Sequence, residues 1–141
     1  MLFRLHKLTP HRHLLEVQRD DGTTTRDELD SRSFVRHDLM HWCFENRAGI
    51  TDAFLGQGAA PTTTSQAYAV TEVLVGMLQG VAERQVDPQQ FVDRAAGYLP
   101  SQGHPLPAFV DAEFVRAVLA HWQRLNRQWQ SLRVGGILEL R

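Results

Sequence analysis

Lysine and cysteine are almost missing from this chain: Lys7 and Cys43 stand alone among 141 residues. A single cysteine cannot close an intrachain disulfide, which excludes a disulfide-stapled fold and points to a reducing, cytoplasmic setting. No run approaches the 18 or so apolar residues of a membrane span. The stretch Met1–Lys7 lacks the uninterrupted apolar core of a secretion signal. The patterns G-x-S-x-G, G-x-x-x-x-G-K and G-x-G-x-x-G are all absent. Serine-hydrolase elbows, P-loops and dinucleotide folds therefore lose their usual support. Strong charge of one sign is also lacking: the net charge is -1, so no global field recruits nucleic acid or a membrane surface.

What is present fits one globular domain over residues 1–141, with 43% apolar and 22% charged residues. The near-neutral total hides a gradient. Residues 48–115 carry only Arg84 and Arg94 against seven acids, and residues 116–141 carry five arginines against Glu139. The basic end lacks the interleaved aromatics of a base-stacking platform, so an arginine-rich solvated helix face is the expectation.

Strand signals come first. Leu2–Thr9 alternates, Leu14–Arg19 follows, and Asp20-Asp21-Gly22 marks a turn into Thr23–Arg26, so residues 13–27 read as a hairpin. Helices come next: Arg32–Asn46 between caps Asp30 or Ser31 and a stop at Gly49, and a short turn from Thr51 or Asp52 to Leu55. Ala59–Thr64 reads as a loop before a long helix over Ser65–Arg84. Pro88 behind Asp87 opens a helix to about Tyr98. Asp111 caps the most regular one, in which Val115, Val118, Trp122, Leu125, Trp129 and Leu132 form one stripe. Its two tryptophans suit core packing first and a homodimer interface second. Ile137–Leu140 predicts a last strand against the hairpin. The expected fold is α+β and mainly helical, with four to five helices on a small antiparallel sheet.

Seven histidines are the unusual surplus, and two of them carry the functional reading. His37 and His41 are four apart, so on a helix both imidazoles meet on one face, the spacing of the H-E-x-x-H zinc motif. At about 100° per residue, His41, Phe34, Glu45 and Asp38 fall within about 100° of His37, while Arg36 and Arg47 lie nearly opposite. Arginines mark the side facing water, so the His/Asp/Glu stripe is expected to point inward beside Phe34 and Trp42. A third ligand is expected from Glu72, on a face with Ala69, Gly76 and Gly80 whose small side chains admit a neighbouring helix. Three ligands plus water would make an open transition-metal site, zinc first. Asp38 and Glu45 are the candidates for general base or for the carboxylate that orients a histidine. Asp38 stands where the zinc motif has a glutamate, one methylene longer, which speaks against peptidase chemistry.

The run Ser31-Arg32-Ser33-Phe34, His37-Asp38-Leu39-Met40-His41 and Glu45, continued by Ala48–Phe54, resembles uncharacterised bacterial proteins with an R-S-F-x-x-H-D-x-x-H pattern. The likeness spans about residues 31–58 and implies no particular activity. The His37-Asp38 pair is also similar to that of HD-type phosphohydrolases, whose further His and Asp ligands have no match in this sequence.

Other groups receive plainer readings. Cys43 falls away from the histidines and reads as a buried thiol. Ser31 and Ser33 read as helix caps, His11, His13 and His104 as surface residues, and His121 as a packed one. Two functions remain: a small metal-binding protein, extending to a hydrolase that uses metal-activated water on a small-molecule substrate, or a non-enzymatic interaction or scaffold domain whose stripe is a buried polar network.

Overall fold

The computed structural model describes residues 1–57 and 66–141. It is α+β, with the elements β1 (Leu2–Thr9), β2 (Arg12–Gln18), β3 (Thr24–Asp30), α1 (Ser31–Ala48), α2 (Phe54–Gln57), α3 (Gln66–Val81), α4 (Pro88–Ser101), α5 (Ala112–Ser131) and β4 (Ile137–Leu140). The loop expected at Ala59–Thr64 and the helix start at Ser65 lie outside the described residues. Among the described residues no helix is long and apolar enough to cross a membrane. The chain divides into two compact units, Met1–Leu39 with Arg124–Arg141, and Met40–Gln123, with the divisions falling inside α1 and α5.

The first unit holds a four-stranded antiparallel sheet in the order β3-β2-β1-β4. Period-two alternation sends Phe3 and Leu5 of β1, and His13, Leu15 and Val17 of β2, to the same buried face. The opposite face carries a charge ladder built from directly opposed residues. Arg26 and Arg4 flank Glu16 at 2.6 and 2.9 Å, and Arg4 also reaches Glu139 at 2.7 Å. The Arg26 guanidinium, then that of Arg4, holds the Glu16 carboxyl below the usual carboxylate range. The hairpin is longer than the spacing suggests. β3 continues through the polar Asp27-Glu28-Leu29-Asp30 because every one of those residues has a partner on β2, up to Arg12↔Asp30. Gly22, at φ 88, makes its turn. Lys7, the lone lysine, donates to the Trp129 and Leu132 carbonyls at 3.1 and 2.8 Å and lies over the Trp129 ring at 4.9 Å, closing the C-terminal end of α5.

Helix ends follow their local chemistry. Asp30 accepts from the Arg32 amide at 2.9 Å at the start of α1, and Gly49, at φ 68, stops it. In the second unit Asp87 caps α4 through the Gln89 amide at 2.9 Å. That helix runs a turn past Tyr98, through Pro100, to where the Gln102 and Gly103 amides close on the Leu99 and Pro100 carbonyls. Phe44, Phe109 and Phe114 pack edge to face with centroids 5.2–6.2 Å apart. The α5 stripe is core as expected, with Val115, Val118, Trp122, Leu125 and Trp129 buried. Asp111 accepts from the Phe114 amide at 2.8 Å. Asp111→Ala is therefore expected to cost about 1 kcal/mol in urea unfolding, with most of the loss restored by Asp111→Asn.

Candidate metal centre

α1 breaks the ordinary rule for a buried helix face, because Asp38, His41 and Glu45 are all buried on it. Polar groups in such a place need partners. His41 finds two. Its Nδ1 lies 2.7 Å from Oε2 of Glu45, one turn on, and its Nε2 lies 3.2 Å from Oε1 of Glu72 on α3. The second Glu45 oxygen accepts from the Leu55 amide of α2 at 3.0 Å, which fixes that carboxylate in place. The Phe54 ring covers the imidazole at 4.6 Å between centroids. Burial opposes charge on His41, but the hydrogen bonds that its ring nitrogens donate to Glu45 and Glu72 outweigh it and push the imidazole up to about 9. Tyr68, a turn before Glu72, is near enough that burial, and then the Glu72 and Glu45 charges, raise its hydroxyl pKa.

His37 completes the group from the preceding turn of α1. One ligand atom from each of His37, His41 and Glu72 can be chosen so that all lie within 4.8 Å of one another, and this cluster could hold a metal ion. The 3.2 Å between His41 Nε2 and Glu72 Oε1 is close to the ~3.3 Å edge of a tetrahedron with bonds of about 2.0–2.1 Å. His41 also has the support that metal-bound imidazoles usually show, a carboxylate on the opposite ring nitrogen.

The structure thus brings together the three residues expected as ligands and places Glu45 on the back of His41. Asp38 is elsewhere: its Oδ2 lies 3.0 Å from Nε2 of His13. Three expectations are corrected. His13 is fully buried rather than on the surface, and its parity with Leu15 and Val17 on β2 was the signal that could have placed it. Phe34 is 43% exposed; a helical angle says which side a residue faces, not whether anything covers that end of the helix. Gly76 and Gly80 are exposed and have no neighbour within 4 Å of where a Cβ would sit, so they do not admit a helix beside Glu72. Cys43 is buried, as expected. Tyr68 carried no motif and is recognisable only through its spacing from Glu72. No protein family, curated protein or solved structure matches the chain, so the functional reading rests on this geometry.

Proposed function

We propose that this chain binds one divalent transition metal, zinc in the first place, through His37, His41 and Glu72, with Glu45 orienting His41. The observation that carries this reading is the convergence of the three ligand atoms within 4.8 Å. Two imidazoles and one carboxylate leave a fourth position for water, and a metal-bound water ionises near pH 7. The reaction class that follows is hydrolysis of an ester, amide or phosphoester in a small-molecule substrate. Asp38 is committed to His13, and Glu45 to His41 and the Leu55 amide. His37, His41 and Glu72 would hold the metal, and the metal when bound would supply an activated water, with neither of these two carboxylates placed as its base.

One observation favours the second reading, a non-enzymatic domain with an internal polar network: both His41 ring nitrogens lie within hydrogen-bond distance of carboxylates. Elemental analysis of untagged protein, dialysed after loading with zinc, iron or nickel, separates the two. One metal per chain is expected with at least zinc. Sub-stoichiometric metal under all three conditions would leave the network as the function of the stripe.

A further inference from the structure

The buried pair His13–Asp38 has a third member. Ser31 Oγ lies 3.1 Å from His13 Nδ1, while His13 Nε2 lies 3.0 Å from Asp38 Oδ2. The result is a hydrogen-bonded chain of serine, histidine and aspartate drawn from β2 and the first two turns of α1. His13 is fully buried and Asp38 nearly so, whereas Ser31, at 9% exposure, lines an open cleft of about 320 Å³ with Arg32, Arg36, Asn126 and Trp129. The inner two groups are thus sealed from water, and Ser31 is the member of the chain that borders the space where a ligand could sit.

The chemistry sets the direction of the chain. A carboxylate only accepts, so Asp38 selects the His13 tautomer that carries its proton on Nε2. Nδ1 then has its lone pair free to accept the Ser31 O–H. That is the arrangement of an activated serine, recognised by roles and geometry rather than by sequence position. The ring nitrogens are used in the reverse order from the familiar protease triads, but either nitrogen of imidazole can act as the base. The Trp129 ring stands edge-on to His13 at 5.9 Å, which limits how far the imidazole can swing. The nearby Asp30 carboxylate is paired with Arg32 at 3.1 Å.

We propose that Ser31 is a catalytic nucleophile for small carboxylic esters, with His13 as its base and Asp38 as the residue that positions His13. Ser31 Oγ attacks the ester carbonyl carbon as its proton passes to His13 Nδ1. The bond from the acyl carbon to the alkoxy oxygen breaks, and the leaving oxygen takes that proton. Water then attacks the acyl-serine, giving one proton to His13 and so back to Ser31, and releases the carboxylic acid. Ester and water enter, acid and alcohol leave. The cleft holds about 320 Å³, at the low end for ligand sites, which suits small esters. None of its three residues is among the proposed metal ligands, and no step of this chemistry uses an ion.

The test treats the full chain with a fluorophosphonate, which labels only activated serines, and with p-nitrophenyl acetate. Intact mass and peptide mapping should locate one adduct on Ser31, and Ser31→Ala should remove both the adduct and nitrophenolate release. Ser31→Ala removes one hydroxyl and adds no bulk, and should fold as wild type by circular dichroism. Asp38→Asn should slow labelling by about 10³–10⁴-fold through the wrong tautomer. A chelator should change neither reaction. An unlabelled Ser31, an equal rate in Asp38→Asn, or loss of labelling with chelator would each overturn the assignment.

Discussion

Replacing His41 by alanine is expected to lower zinc affinity by at least about 100-fold, the largest change any single substitution should produce in metal binding. The ring supplies one ligand directly, and through Nδ1 it is aimed by Glu45 at 2.7 Å. Removing an outer partner of this kind alone typically costs about 10–100-fold, so Glu45→Gln should fall in that range and His41→Ala at or beyond its upper limit. His41→Ala also leaves Glu45, 1% exposed, as a buried carboxylate without its cation. That should cost about 3–5 kcal/mol of stability in the metal-free protein. Glu72→Gln is the control for folding, because Glu72 is 36% exposed and its loss removes a ligand without stranding a buried charge. Competition titrations with a chromophoric chelator measure the affinities, and urea unfolding the stability.

The same residue predicts a pH dependence whose sign is fixed. His41 is raised from 6.5 to about 9 in the folded metal-free protein. Its charged form therefore adds stability that is fully present below about pH 6.5 and is lost as pH rises through about 9, by up to ~3 kcal/mol. Bound zinc takes the place of the proton, so the zinc-saturated protein should show a much flatter profile over that window. Thermal unfolding between pH 6 and 10, with and without zinc, measures it. Identical slopes in the two series would count against His41 as a ligand.

The second large effect is expected at His13. His13→Leu fills the same buried space but takes the His13 contact from the Asp38 carboxylate, 1% exposed, at a cost of about 3–5 kcal/mol. Adding Asp38→Leu should recover most of that loss, because replacing both members of a buried pair with apolar groups is often close to neutral. The coupling between the two substitutions, read from urea unfolding of both single variants and the double variant, should be large and of restoring sign. Strict additivity would mean that the 3.0 Å contact carries little energy.

Local pattern determined much of this protein. Period-two alternation announced β1, and the three-four stepping of Val115, Val118, Trp122, Leu125 and Trp129 announced α5, because each burial face is written in a few neighbouring residues. Asp87 with Pro88, Asp111 and Gly49 marked helix ends through side-chain and φ requirements that act within three residues. The i,i+4 spacing of His37 and His41 is equally local, which is why two ligands were visible in the chain. Glu72 is expected from its place on the next long helix, on a face with Ala69, Gly76 and Gly80, and its contact with His41 stands although Gly76 and Gly80 face open space.

Tertiary structure alone decided how the carboxylates divide. Asp38 and Glu45 lie about 20° apart around α1 and looked interchangeable, but two turns of axial separation give one to His13 on β2 and the other to His41. The identity of a partner across elements depends on strand register and on which helix turn meets which neighbour, and those quantities appear in no short stretch of sequence. For the same reason His13, Ser31 and Asp38, spread over 26 positions and read one by one as a surface histidine, a cap and a candidate base or histidine-orienting carboxylate, become a hydrogen-bonded chain only when β2 and α1 are folded together.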